Sequence, residues 1–382
     1  MNILYATDYH NRANSGITFA VNELAGQMQT ELAPTGSVAL LSIGESDVAV
    51  QPGVRHLTAQ PSTGATRLWR FAPAYGAMCE DTVKQQNISV VHIHGIWMHP
   101  QFAAARAAQR LAIPTILTNH GGVQWALRQP GVIGATKKRL YMNLMKDILF
   151  RRITVQHAIT QLDRDAIHAF FPHQRIEVIP NFVDVQTLDR EIELVPGKKN
   201  DPYILFIGRL HPTKGIDMLI EAFTRAAIPR DWRLIIVGPT VDAPFEAKVR
   251  RMIAACPAAD RIEIRAPVWE PAMKYALMRD ARVTVLPSRT EVISLVNLES
   301  SACCTPTITT NATGLTDWTE GGGLLIEPSI GSLTAALSEA AQWSDQERKE
   351  RGLASRRLVE KRYSARAVMP CWLDLYRTLH AS

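Results

Sequence analysis

Cysteine is scarce and badly placed: five among 382 residues, an odd number with no ligand-like spacing. Cys303 and Cys304 are neighbours, while Cys79, Cys256 and Cys371 stand alone. Neither a disulfide framework nor a Cys-x-x-Cys metal pair follows, which points to a reducing compartment. No uninterrupted apolar run approaches about 18 residues, so a membrane-spanning helix is not expected. The opening MNILYATDYH lacks the charged-then-apolar profile of a secretory leader and reads as a first strand. There is no G-x-x-x-x-G-K-[ST] P-loop and no G-x-G-x-x-G after a strand, which counts against a P-loop NTPase and a dinucleotide enzyme. No G-x-S-x-G surrounds Ser15, Ser288 or Ser294, which disfavours an acyl hydrolase. Charge is mildly one-sided: 42 Lys and Arg against 36 Asp and Glu give +6. That excess favours an anionic partner and is too small to indicate nucleic acid.

What is present is an ordinary globular composition, 46% hydrophobic and 20% charged. At roughly 150 residues per domain the length suggests two domains. Short apolar, β-branched runs recur at Asn2–Thr7, Val38–Ile43, Ser89–His94, Thr115–Asn119, Ile153–Ile159 and Arg175–Ile179. A second series follows at Tyr203–Gly208, Arg233–Gly238, Arg261–Arg265, Arg282–Pro287, Thr305–Thr309 and Gly323–Glu327. Continuous rather than alternating hydrophobicity suits strands buried on both faces, and helix-length stretches separate them. The pattern predicts an α/β chain of two doubly wound, Rossmann-like domains facing a central cleft, where ligands of such sheets bind. The expected boundaries are 1–185 for the first domain, 186–202 for a polar linker and 203–363 for the second. The tail 364–382 reads as a helix, with Val368, Trp372, Leu375 and Leu379 at helical spacing, that packs back onto the first domain.

Two stretches carry chemistry. YILFIG leads through Arg209-Leu-His-Pro-Thr-Lys214-Gly215 into the helical IDMLIEAF. A strand, a basic glycine-containing loop and a helix N-terminus together suit a phosphate. After a later strand, SRTEVISLVNLESSACC places Glu291 and Glu299 seven residues apart. On one helix they would lie about 12 Å apart along the axis and share a side. Such a pair could hold the two ends of an elongated ligand, although two solvated glutamates would read the same way.

Taken together, GRLHPTKGID, LIIVG, ARVTVLPSRTE and the glutamate pair before its small-residue stretch resemble the retaining GT-B glycosyltransferases of family GT4, the glycosyl transferases group 1. VVHIHGIW, TILTNHGG and VIPNFVD are similar to the family's first-half motifs. The resemblance implies transfer of a sugar from a UDP- or GDP-sugar to a saccharide or polyprenyl-linked saccharide, in building bacterial surface polysaccharide. It implies front-face transfer, in which the leaving phosphate helps to deprotonate the acceptor. By position, Arg209 and Lys214 would neutralise the donor diphosphate, Glu291 would hold the sugar hydroxyls and Glu299 the ribose hydroxyls. Backbone amides at Ser294, Leu295 and Val296 would meet the sugar and distal phosphate. His120 would approach the sugar from the first domain, Gly16 in the loop after the first strand would admit a close approach, and Pro267–Val268 would border the base. No metal or cofactor is implied, and no nucleic-acid partner.

Three positions depart from the family. Ile293 and Ser294 stand where it has Phe-Gly, Cys304 replaces a glycine before Thr-Pro, and Phe182 replaces the glycine of the Pro-Asn-Gly-Val-Asp motif. A nucleotide-sugar epimerase of the same fold and a catalytically silent binding module remain open as alternatives. Asp163-Arg164-Asp165 is formally a metal-diphosphate DxD, but it follows Thr160 at a helix start, where capping accounts for it. His92 and His94 share a strand face and, without a third ligand nearby, read as core residues or as supports for a neighbouring side chain rather than as zinc ligands. The stretch 137–152 carries Lys137, Lys138, Arg139, Lys146, Arg151 and Arg152 against Asp147 alone. In an expected cytoplasmic protein it is either a solvated helix face or a peripheral contact with an anionic membrane.

Overall fold

A computed structural model describes residues 1–12, 15–123, 136, 140, 144, 152–197 and 201–381. The chain forms two compact units, one of Met1–Pro180 with Met369–Ser382 and one of Asn181–Val368.

In the first unit the strands are β1 (Asn2–Tyr9), β2 (Ser37–Ile43), β3 (Arg55–Ala59), β4 (Val90–His94), β5 (Thr115–Thr118), β6 (Val155–Ala158) and β7 (Ile176–Val178). They form one sheet in the order β3-β2-β1-β4-β5-β6-β7, with every pairing parallel. β1 and β2 are buried along almost their whole length, as their unbroken apolar runs require of a sheet covered on both faces. The covering helices include Ser15–Leu32, Tyr75–Gln85, His99–Arg110 and Gln161–Phe170. The sequence pattern predicts six strands here, and the seventh is β3. Its RHLTA sits at the sheet edge and is largely half-exposed, so it lacks the continuous apolar signal of the others.

The second unit repeats the plan with β8 (Tyr203–Ile207), β9 (Arg233–Val237), β10 (Ile262–Arg265), β11 (Val283–Leu286), β12 (Thr307–Thr310) and β13 (Leu324–Ile326). Their order is β10-β9-β8-β11-β12-β13, again all parallel. Each unit has its own apolar core, the second centred on Phe206, Leu219, Phe223, Ile236, Val285 and Leu337.

The segment 186–202, expected to be a linker, begins instead with a helix, Val185–Glu193. Asp184 caps it, accepting from the amides of Gln186 and Thr187 at 3.0 and 3.1 Å. Only Val185 and Leu188 of this helix are buried, too few to show a period in the sequence. It is anchored within its unit by Asp189, which pairs with Arg356 at 2.6 Å, and by Arg279, which donates to the carbonyls of Ile192 and Val195.

The last helix, Ala365–Ala381, starts in the second unit and ends in the first. No described helix is long and apolar enough to cross a membrane. Lys137, Lys138, Arg139, Lys146 and Arg151 of the basic stretch lie outside the described residues, and Arg152 is exposed.

Candidate active site

In the second unit the loops after β8 and β11 are pinned together. Gly215 has φ +70°, and a Cβ on it would come within 2.1 Å of Pro287 O, so both its conformation and its neighbour demand glycine. Arg289 completes the join: its amide donates to Thr213 O at 2.8 Å, and its guanidinium to Pro212 O and Asp217. These contacts fix Lys214, on the short turn Pro212–Lys214, beside the β11 loop.

Lys214 Nζ donates to Glu291 Oε1 at 2.5 Å, and both side chains are largely buried. The other carboxylate oxygen accepts from Ser288 Oγ at 2.9 Å, while the Glu291 amide donates to Ala312 O. The Ser288 carbonyl in turn accepts from Thr310 Oγ1 at 2.6 Å. Glu291 is therefore oriented at both oxygens. Arg209 is exposed at the end of β8 and takes no part in this pair. Burial first, then the charge of Arg209, push the His211 imidazole below its ordinary range; Asp242 pulls the other way and outweighs the small addition from Lys214.

The two glutamates do not share a helix. The helix is Leu295–Ala302, so Glu291 precedes it in the loop and only Glu299 rides on it. The helical spacing anticipated for the pair does not apply, because extended backbone at Ser294 intervenes. Glu299 Oε1 accepts from Lys274 Nζ at 2.7 Å, a lysine on the helix Pro271–Asp280. Leu295 and Val296 open the Glu299 helix, where the first amides have no intrahelical acceptor and can face an anion. Ser294, buried at φ −95°, fits the place of the family glycine without strain. Cys304 is the opposite case, at φ +59°. Pro267 and Val268 are half-buried beyond the end of β10.

In the first unit, Gly16 is the second residue of the helix Ser15–Leu32 rather than part of a loop. It is exposed, and a Cβ there would meet nothing within 4 Å among the described residues. His120 follows β5 and is half-buried, its Nε2 3.0 Å from Nδ1 of the buried His94. Burial pushes the His120 imidazole down to about 3 and the His94 imidazole well below its ordinary range.

A row of buried hydrogen bonds crosses this sheet. Tyr5 and Tyr376 hydroxyls lie 2.9 Å apart, and Tyr376 Oη lies 2.6 Å from His92 Nδ1. His92 Nε2 is 2.7 Å from Thr118 Oγ1, which is 2.8 Å from His157 Nδ1, and His157 Nε2 is 2.8 Å from Ile179 O. A carbonyl can only accept, so with neutral rings every proton is assigned: His157 donates to Ile179, Thr118 to His157, His92 to Thr118, Tyr376 to His92 and Tyr5 to Tyr376. Burial holds His157 at about 4 and His92 well below its ordinary range, keeping both neutral. His92 is thus a core residue.

Asp163 is buried, with Oδ2 accepting from Ile159 N just before the cap and its own amide donating to Oγ1 of the N-cap residue Thr160. Asp165 is exposed beside Gln161 and Arg164, so the two acids of the DxD face different surroundings. Among the described residues, no three His, Cys, Asp or Glu side chains form a group that could hold a metal ion.

The sequence did not reveal Ser288, Lys274 or His94 as partners of the candidate residues. Ser288 could have been found from its place three residues before Glu291. Lys274 carried no signal, because it meets Glu299 from another helix.

Two family models match: "Glycosyl transferase 4-like domain" over residues 16–181 and "Glycosyl transferases group 1" over 189–354. Among curated relatives, the D-inositol 3-phosphate glycosyltransferase of Xylanimonas cellulosilytica is 26% identical over 355 residues, 86% of this chain and 83% of that protein. The phosphatidylinositol N-acetylglucosaminyltransferase gpi3 subunit of Schizosaccharomyces pombe is 27% identical over 237 residues, 61% of this chain and 48% of its own. Of solved structures, sucrose-phosphate synthase from Thermosynechococcus elongatus superposes with a TM-score of 0.79 at 18% identity, covering 100% of this chain and 99% of that one. Anabaena HepE, in complex with UDP and glucose, does so with 0.74 at 16%, covering 99% and 100%. Two parallel α/β units, the matching models along both halves and the shared fold lead to one assignment: the chain is a GT-B glycosyltransferase of family GT4, the glycosyl transferases group 1.

Proposed function

We propose that this glycosyltransferase moves a sugar from a UDP- or GDP-sugar to a saccharide or lipid-linked saccharide, with retention at the anomeric carbon, in the assembly of bacterial surface polysaccharide. The observation that carries the donor assignment is the oriented Lys214–Glu291 pair at the joined ends of β8 and β11. A cation held at a glycine turn suits a diphosphate, and a carboxylate fixed at both oxygens suits sugar hydroxyls. Solved complexes of the similar HepE with UDP-glucose support a uridine nucleotide.

In this reading Lys214 and Arg209 meet the charge that grows on the diphosphate as the glycosidic bond breaks, assisted by the amides of Ser294, Leu295 and Val296. Glu291 positions the transferred sugar, Glu299 the ribose, and Pro267 and Val268 border the base. His120 and Gly16 lie on the acceptor-side unit. The chemistry needs no metal, and the enzyme works in the cytoplasm, with the basic stretch 137–152 touching the inner membrane surface.

A thermal-shift screen across UDP-, GDP- and ADP-sugars ranks donors directly, since stabilisation grows as RT ln(1 + [L]/Kd). Product NMR after transfer from the best donor reads the anomeric configuration. An inverted product would overturn retention, and sugar interconversion without any acceptor would make the enzyme an epimerase.

A further inference from the structure

His120 closes β5 in a left-handed conformation, φ +49°, and Gly121 follows at φ +75°. Gly122 N donates back to Asn119 O at 3.0 Å, so the turn is tight and the ring is set against β4. There it meets His94, whose own place is over-determined. The His94 ring lies 4.1 Å from that of His92 and 5.5 Å from that of Tyr5, centroid to centroid. Its carbonyl accepts from Gln101 Nε2 at 2.9 Å, and Gln101 Oε1 accepts from Met98 N. A non-glycine residue in the left-handed region beside a buried, immobilised ring is the kind of stored strain found at functional sites.

The bond between the rings has a direction. His94 Nε2 is buried and finds no partner among the described residues. Were His120 Nε2–H the donor, neutral His94 would carry its proton on Nε2, a buried N–H with nothing to receive it. Were His94 Nδ1–H the donor, Nε2 would be a bare lone pair instead. Orphaned buried N–H groups are the rarer kind of unsatisfied group, which favours the second arrangement. His120 Nε2 then accepts, and its proton must sit on Nδ1. Burial keeps both rings neutral.

We propose that His94 is a positioning residue that holds His120 as a neutral hydrogen-bond donor through Nδ1, the proton it would offer to a sugar hydroxyl. The proposal rests on the glycosyl-transfer reading above. It also says what His120 does not do. With Nε2 engaged by His94 and Nδ1 protonated, the ring has no lone pair free to take a proton from the acceptor. His120 orients the sugar, and the acceptor proton leaves by another route.

Nitrogen-15 NMR of the histidine rings in the full chain tests the arrangement without substrate. The expected signature is a protonated Nδ1 and unprotonated Nε2 at His120, and the reverse tautomer overturns the proposal. Kinetics supply the second arm. His94→Phe keeps the ring but removes its donor, and His94→Asn places an amide N–H near the lost Nδ1. His94→Phe is expected to lower kcat about tenfold or more, as for a misoriented group, with UDP affinity by calorimetry unchanged. His94→Asn should restore most of the rate. Wild-type turnover in His94→Phe, or no recovery in His94→Asn, removes the positioning role. A wild-type chain that transfers no sugar from any donor would defeat the glycosyl-transfer reading itself and with it the sugar-facing role, whereas a wrong tautomer shows in the ring spectra alone.

Discussion

Lys214 Nζ and Glu291 Oε1 stand 2.5 Å apart, so the cation proposed for the diphosphate and the carboxylate proposed for the sugar are each other's partner. In the proposed reading a diphosphate would draw Lys214 away, freeing Glu291 Oε1 for a sugar hydroxyl while Ser288 still holds Oε2. Glu299 and Lys274, at 2.7 Å, form the corresponding pair at the end proposed for the ribose.

These pairings predict three different failures. Lys214→Ala should depress both kcat and donor affinity, by about 2–4 kcal/mol in transition-state stabilisation. Glu299→Ala should mainly raise donor KM and weaken binding of free nucleotide. Glu291→Ala should leave nucleotide affinity nearly unchanged while turnover falls and sugar selectivity blurs. Calorimetry with bare nucleotide beside steady-state rates with the intact donor separates them. Loss of nucleotide binding in Glu291→Ala with retention in Glu299→Ala would reverse the donor's orientation.

Gly215→Ala should disturb donor binding from outside the contact surface. The left-handed backbone alone costs a non-glycine residue about 1–2 kcal/mol, and the Cβ would drive into Pro287 O. A lowered Tm together with weakened nucleotide binding is expected. A variant with wild-type values for both would show that the two loops are not held as described.

Acid should destabilise the first unit. His92, His94 and His157 are buried with imidazoles pushed down from the ordinary 6.5, His157 to about 4. The unfolded chain therefore binds more protons below pH 6.5, and stability falls as pH drops from there toward 4, by up to about 1.4 kcal/mol per unit for each ring. Asp163 opposes this, because burial raises its carboxyl to about 6 and makes protonation favour the folded state between its ordinary 3.8 and that value. Burial raises the Asp8 carboxyl as well, and the two carboxyls are outnumbered by the three rings. Urea melts at pH 7.5, 6.0 and 5.0 should show a declining midpoint, and a flat or rising series would contradict the neutral row.

Transfer should survive chelation. The charge of the diphosphate is assigned to Arg209, Lys214 and a helix terminus, and Asp163 is taken up in the first turn of the helix that Thr160 caps. Activity lost in EDTA and restored by Mn²⁺ or Mg²⁺ would refute this assignment.

The chain should bind anionic vesicles in a salt-sensitive manner through Lys137, Lys138, Arg139, Lys146, Arg151 and Arg152. Each cation near a charged leaflet contributes about 1 kcal/mol. Equal co-sedimentation with neutral and anionic vesicles would leave a solvated surface.

Much of this architecture was legible in advance because buried parallel strands write themselves as apolar runs, as YILFI and RLIIV do, and all six strands of the second unit were anticipated, although β10, IEIR, alternates. Gly215 and Lys214 stood out as a basic residue and a glycine at a strand-to-helix turn, a pattern that a purely structural turn would also show. What escaped was whatever depends on neighbours distant in sequence. β3 has an edge strand's mixed surface. The helix Val185–Glu193 gains its anchors from Arg356 and Arg279, far along the chain. Lys274 and His94 are unremarkable alone and acquire a role only when folding sets them beside Glu299 and His120.

The passage of the last helix back into the first unit has a consequence for biosynthesis. A chain emerges from its N-terminus, so residues 1–180 are available long before Tyr376 and Trp372 exist. Until those arrive, His92 Nδ1 has no hydroxyl to receive from, and the surface that Trp372, Leu375 and Leu379 come to cover is bare. The part begun first is completed last. A chain cut short within the second unit would leave the core of the first unfinished, so stopping synthesis late in the second half exposes a fault in the first.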